Sequence, residues 1–326
     1  MPERVRQSLT GRPCPVVFER KRSVKKLSLI MNPNAGTRQG RRFIADILTI
    51  FSDAGYLPTV FLTKKHGDAE EFAEFYSGKA DLVVACGGDG TLNEVISGLL
   101  AGGHAVPVGY IPCGSTNDFA NGLGISTNVL QAARDIAAGE PRPLDIGFFG
   151  PDRYFTYIAS FGLFASVSYS TSQAAKNVLG HAAYILEGIR SLADVRPVHL
   201  KITANDREYE ADYLFGAVCN STSLGGVLKL DNKAVHMSDG LFEALLIPFP
   251  EDLLALNRVL SALGAKNYND PSLIFIRSSR FLIEAEPGIH WSLDGEQATA
   301  SGLQEIANLH RAIRIVSSGG ANKLNG

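Results

Sequence analysis

The chain has 326 residues, 45% of them hydrophobic and 20% charged, which suits a globular protein with room for two cored domains. A formal net charge of −2 excludes the broad basic surface of a general nucleic-acid binder. No apolar run approaches the ~20 residues that cross a bilayer, and the basic N-terminus lacks the apolar segment of a secretory signal. A soluble or membrane-peripheral cytoplasmic protein with no nucleic-acid partner is therefore expected.

Residues 1–24 read as a basic arm. Between Arg4 and Lys26, the residues Arg6, Arg12, Arg20, Lys21, Arg22 and Lys25 are opposed only by Glu19. Such an arm is either solvated and poorly ordered or a tether to anionic lipid, at roughly 1 kcal/mol per basic residue near the surface. Cys14, Cys86, Cys113 and Cys219 have no CxxC spacing, as expected of reduced thiols rather than a metal site or disulfide framework.

From residue 25 to 143 short apolar runs alternate with helical patterns. Strands are predicted over 27–31, 56–63, 81–85 and 106–111. Helices are predicted over 38–54, 68–76, 91–100 and from a Ser126 or Thr127 cap to 138, where Gly139 and Pro141 end it. This order calls for an α/β three-layer nucleotide-binding domain with a parallel sheet. Ligands bind such sheets beyond the carboxyl ends of the strands. Residues 144–300 change character. Strands rich in β-branched and aromatic residues are predicted over 144–149, 154–160, 198–203, 209–220, 242–247 and 272–286. With helices over 174–192 and 252–263, they describe a β-sandwich-like second domain. The 301–326 segment can return to the first domain, ending in a disordered tail.

Three polar loops leave strand ends in the first domain. Gly87, Gly88, Asp89, Gly90 and Thr91, followed by Leu92, Asn93 and Glu94, form a strand–turn–helix whose backbone N–H groups can hold phosphate. Asp89 would repel phosphate directly, so it is expected to hold Mg²⁺ or a water on Mg²⁺; the plainer reading is a helix cap. Asn32, Pro33, Asn34, Ala35 and Gly36 follow the first strand, and Gly114, Ser115, Thr116, Asn117, Asp118, Phe119 and Ala120 follow the fourth. Far away, Ser292, Leu293, Asp294, Gly295 and Glu296 read as a hairpin turn or as the source of a proton acceptor, Asp294 or Glu296, for phosphoryl transfer to an alcohol. His66, His104, His181 and His290 lack ligand spacing and read as structural. GxSxG and HExxH are absent.

These motifs together, with Thr63, Gly67, Asp68, Ala69, Asp239, Gly240 and Leu241, resemble the soluble bacterial diacylglycerol kinase and lipid kinase family, whose catalytic fold is shared with sphingosine and ceramide kinases. The resemblance spans about 27–316. It implies ATP held by residues 32–36, Thr63, residues 87–94 and Ser115. It also implies catalytic Mg²⁺ organised by Asp89, Asp118 and Asp145, partly through water, and Glu296 as general base. A second metal would sit on Asp239 and the backbone oxygens of His236 and Leu241, and Lys176 would stand near the cleft. The sequence departs from the usual pattern in three places: Thr37 and Arg38 where a lysine commonly follows the first loop's glycine, Asn121 for an arginine, and Tyr157 for an asparagine.

The expected function is an ATP- and Mg²⁺-dependent lipid kinase, converting diacylglycerol at a membrane to phosphatidic acid, with a homodimer compatible with the family. Phe148, Phe149, Phe161 and Phe164 either shelter acyl chains or are plain core. The rivals are a kinase of a soluble acceptor such as NAD, and a non-catalytic nucleotide- or lipid-binding regulator.

Overall fold

Leu82–Gly87 is buried along its whole length, as a strand covered on both faces must be, and the first domain is built around it. The structure is a computed structural model, and it describes residues 24–163, 196–220, 223–224, 228–229 and 236–317. The arm up to residue 23, Cys14, Phe164, the 174–192 helix with Lys176 and His181, and the tail from 318 lie outside the described residues.

In chain order the elements are β1 (Lys25–Met31), α1 (Gln39–Arg42), α2 (Ile44–Asp53), β2 (Tyr56–Leu62), α3 (Asp68–Tyr76), β3 (Leu82–Gly87), α4 (Asp89–Ala101), β4 (Val108–Pro112), α5 (Asp118–Leu123) and α6 (Val129–Ala138). The second half carries β5 (Glu140–Phe149), β6 (Arg153–Phe155), β7 (Ile158–Gly162), β8 (Val198–Ala204), β9 (Arg207–Cys219), β10 (Ser223–Leu224), β11 (Leu228–Lys229), β12 (Phe242–Pro248), α7 (Leu253–Gly264), β13 (Ile274–Ser278), β14 (Arg280–Leu293) and β15 (Glu296–Ser317).

The first four strands are parallel in the order β2–β1–β3–β4. Strand order reverses at β1, so the crevice between the ends of β1 and β3 is the switch point at which such sheets take ligands. The helix predicted over 38–54 is divided at Phe43, which has φ −103° and ψ 15°. The short piece before it carries Gly40, where a Cβ would stand 2.9 Å from the Cys86 Sγ and 3.2 Å from the Cys113 Sγ; that close seat sets its position. The cap of α6 is Asn128, whose side chain accepts from the Gln131 N–H, while Ser126 accepts from the Asn128 N–H instead.

The second domain is antiparallel. Strands β9 and β14 each serve two layers: one part of each pairs with β7 and another with β8. The ladder of β14 shifts register between Ala285 and Ile289, a bulge that turns a strand from one layer of a sandwich into the other. Its core gathers on Trp291, with the rings of Phe161 and Phe149 at 4.9 and 5.3 Å. Phe149 and Phe161 are thus plain core, while Phe148 is half-buried against Tyr154.

One strand joins the halves. β15 pairs with β14 through its first part and with β5 through its second, and at Ile315 and Val316 it lies parallel to β4. Its ladder with β5 is interrupted between Leu309 and Ile313, and the fully buried Asp145 of β5 fills that gap. The Asp145 carboxylate accepts from Arg311 N–H at 2.6 Å, Gly240 N–H at 2.7 Å and Asn308 Nδ2 at 3.3 Å, with His310 Nδ1 at 3.1 Å.

Candidate active site

The three loops at the ends of β1, β3 and β4 are stacked on one another. Asn32 N–H donates to the Cys86 carbonyl at 2.9 Å, and Cys113 N–H to the Gly87 carbonyl at 2.7 Å. Gly36 has φ +50°, and a Cβ there would overlap the Cys113 carbonyl oxygen. A Cβ on Gly114 would stand 2.7 Å from the Gly88 Cα. Only glycine permits both approaches. The N-terminus of α4 opens beside this stack, and its N–H groups and dipole favour an anion.

A cleft of about 450 Å³ lies over it. The first loop contributes Asn32, Asn34, Ala35 and Gly36; α4 and the turn before it contribute Gly88, Gly90, Thr91 and Glu94. Thr63 lines it from the end of β2, and the second domain supplies Glu296. Gly114 lines it from the third loop, and sequence reasoning missed Lys64, Lys65 and His66, which also line it. The signal was available, since Lys64, Lys65 and His66 follow Thr63 off a strand's carboxyl end. Their loop is pinned by Asp68, whose Oδ2 accepts from the Lys64 and Lys65 N–H groups at 2.7 and 3.0 Å; these bonds lower the Asp68 pKa.

Other predicted site residues stand elsewhere. Leu92 is core, and Pro33, Gly87, Asp89, Asn93 and Ser115 are not among the cleft's lining residues. Asp89 caps α5: its carboxylate accepts from Asp118 N–H at 3.0 Å, Phe119 N–H at 3.3 Å and the Tyr110 hydroxyl at 3.3 Å. Burial raises its pKa against those donors.

The hairpin between β14 and β15 separates two acids that the sequence leaves as alternatives. Asp294 and Gly295 take φ of 51° and 89°, as a tight Asp-Gly hairpin requires. Asp294 is turned inward. Its carboxylate accepts from the Thr156 N–H and hydroxyl, from Tyr157 N–H and Ile158 N–H at 3.0 Å each, and from Asn93 Nδ2 at 3.1 Å. Burial pushes it up to about 6. Glu296 is turned outward over the phosphate turn, its Oε1 2.9 Å from where a Cβ on Gly90 would stand. Tyr157 is buried beside Asp294 rather than lining the cleft.

For a divalent cation the donor sets differ. Asp145 does not fit: four donors occupy its two oxygens, so its place in the fold departs from the metal role that the resemblance implies. Asp89 carries three donors on a carboxylate with about four lone-pair sites, which leaves room for a metal-bound water. The 236–241 turn also differs from an open metal site. Asp239 Oδ2 meets Arg277 Nη2 at 2.7 Å and Oδ1 accepts from Leu241 N–H at 3.0 Å. Arg277 Nε reaches Glu243 Oε1 at 3.0 Å, and burial pushes Glu243 up to about 7. Among the described residues no three His, Cys, Asp or Glu side chains converge as a metal cluster, and no helix is long and apolar enough to cross a membrane.

Comparison with known proteins agrees with this layout. Residues 26–149 match the diacylglycerol kinase catalytic domain, and residues 158–316 match the YegS C-terminal NAD kinase beta sandwich-like domain. The chain is 33% identical over 298 residues to a Bacillus subtilis diacylglycerol kinase, covering 90% of this chain and 96% of that protein. It is 31% identical over 274 residues to a Staphylococcus aureus diacylglycerol kinase, covering 83% and 86%. A crystal structure from Bacillus anthracis, provisionally assigned as a diacylglycerol kinase, superposes with a TM-score of 0.75 at 26% identity, covering 90% of this chain and 97% of that one. With both halves matched and the glycine stack in place, the chain belongs to the bacterial diacylglycerol kinase family of lipid kinases, phosphotransferases that take an alcohol as acceptor.

Proposed function

We propose that the protein transfers the γ-phosphoryl group of ATP to the primary hydroxyl of diacylglycerol at a membrane surface, giving phosphatidic acid. The observation that carries this reading is the carboxylate of Glu296, brought from the second domain to the turn at Gly90. A phosphoryl acceptor entering between the domains meets the triphosphate on one side and a proton acceptor on the other.

The N–H groups at the start of α4 and in the glycine stack bind the phosphates. Lys64 and Lys65 supply positive charge at the cleft, where the first loop offers Thr37 after its glycine. The acceptor hydroxyl gives its proton to Glu296 as its oxygen bonds to phosphorus and the bond to ADP breaks. Asp89, with Asp118 next to it, would hold Mg²⁺ through a bound water, and the ion would supply neutralisation of the phosphate charge. Catalysis in this scheme is chiefly positioning and charge stabilisation.

The test is transfer from γ-labelled ATP to a panel of lipids in mixed micelles, with NAD as a soluble acceptor, using wild type and Glu296→Gln. Labelled phosphatidic acid is expected from wild type, with a rate reduced by at least about 10² in the variant. Labelling of NAD alone, or ATP binding with no transfer, would overturn the reading.

A further inference from the structure

His66 lacks any ligand spacing in the sequence, yet it stands between two carboxylates of the cleft. Its Nδ1 is 3.7 Å from Glu94 Oε1 and its Nε2 is 3.6 Å from Glu296 Oε2. Both distances are longer than hydrogen bonds, and the contacts become ion pairs only when the imidazole is protonated. They span the domain boundary, since Glu94 belongs to α4 and Glu296 opens β15. The ring is exposed, but its backbone is fixed on both sides: by the two N–H bonds to Asp68 before it and by Gly67 with φ +87° after it.

The surroundings of Glu296 are asymmetric. Arg153 Nη2 lies 3.9 Å from the same Oε2, so a guanidinium and an imidazole face one oxygen. The other oxygen, Oε1, lies over Gly90. Glu94 is held separately, its Oε2 accepting from Ala69 N–H at 3.1 Å. The remaining acid nearby is Glu70, which feels Glu94, His66 and Arg153. Glu296 sits on an exposed hairpin with a long side chain, and a carboxylate there has several rotamers to choose from. Side chains seated on Oε2 select the one that aims Oε1 at the phosphate turn.

We propose that His66, assisted by Arg153, is a positioning residue for Glu296, bridging it to Glu94 so that its other oxygen stays over Gly90. The proposal rests on Glu296 being the proton acceptor. A residue acting this way changes the rate of the chemical step and leaves nucleotide affinity nearly untouched.

The experiment compares wild type, His66→Ala, His66→Gln, Glu296→Gln and the His66→Ala/Glu296→Gln double variant in the lipid transfer assay. The expected result is a kcat about fivefold lower for His66→Ala, in line with a weak contact of an exposed side chain, with KM for ATP within about twofold of wild type. His66→Gln, which keeps one donor, recovers part of the loss. In the Glu296→Gln background His66→Ala has no further effect, because the group it positions is gone. Wild-type kcat in His66→Ala overturns the proposal. So does a loss confined to KM, which assigns His66 to nucleotide binding, or an undiminished effect in the double variant. Absence of lipid transfer by wild type, or full activity of Glu296→Gln, is read without touching His66; either removes the function and the proposal together.

Discussion

Asn93 Nδ2 donates to Asp294 Oδ2 at 3.1 Å and to the Tyr154 carbonyl at 3.0 Å, so the helix that opens the phosphate turn also holds the hairpin of the other domain. The pairing places Glu296 two residues beyond a buried, five-donor anchor. Asn93→Ala removes one of the five donors of that buried carboxylate, whose Oδ2 keeps the Thr156 N–H and hydroxyl, and is expected to cost about 1–3 kcal/mol. It is also expected to lower kcat more than it raises KM. Chemical denaturation and steady-state kinetics check both, and a variant as stable and active as wild type would show that the anchor holds without α4.

Gly36 faces the Cys113 carbonyl in a left-handed conformation. Gly36→Ala combines that overlap with an unfavourable φ, at a cost of about 1–3 kcal/mol. Displacement of the first loop should raise KM for ATP by about tenfold. Equilibrium binding of an ATP analogue measures this directly, and unchanged affinity would remove the loop from the nucleotide site.

Lys64 and Lys65 carry the positive charge proposed for the triphosphate. Replacing both by Ala should raise KM for ATP by about tenfold with kcat little changed, the pattern of lost uniform binding. If KM for ATP stays put while KM for lipid rises, the lysines serve the membrane surface instead.

Asp145 tests a structural role against a metal-binding one. Asp145→Ala leaves four donors in a buried site unpaired and should destabilise the protein by about 3–5 kcal/mol. Because those donors are all protein groups, the loss should be the same in EDTA and in millimolar Mg²⁺. Thermal melts in the two buffers decide; a loss seen only with Mg²⁺ would return Asp145 to the metal site.

Glu243 has one oxygen on Arg277 and the other without a hydrogen-bond partner, and burial raises it from 4.5 to about 7. The folded state therefore keeps a proton that the unfolded chain has lost. The stability it contributes is fully present below pH 4.5 and falls as pH rises to about 7. Over that window the linkage amounts to on the order of 2–3 kcal/mol. Glu243→Gln should flatten the curve there, and urea unfolding at several pH values shows whether it does.

The glycine stack and the β–α order were legible because each depends on local sequence: an apolar run, a glycine turn, then a helical period. Asp294 and Glu296 could not be told apart, because the choice depends on which face of a tight turn meets Thr156 and Asn93, far away in the chain. His66 passed as structural for a similar reason. Its partners come from α4 and β15, and spacing along one segment does not report such a meeting. The break at Phe43 and the α5 turn were hidden as well. The first follows from how α1 rests on two sulfur atoms, the second from the carboxylate of Asp89.

The course of β15 has a consequence for how the protein is made. Strand β4 is the inner edge of the first sheet until residues 315 and 316 lie against it, and those residues leave the ribosome after the whole second domain has been synthesised. Throughout translation the nucleotide domain therefore carries an open strand edge, the feature on which nascent chains mispair. The two halves mature together, and that edge needs cover from the emergence of β4 until residues 315 and 316 dock.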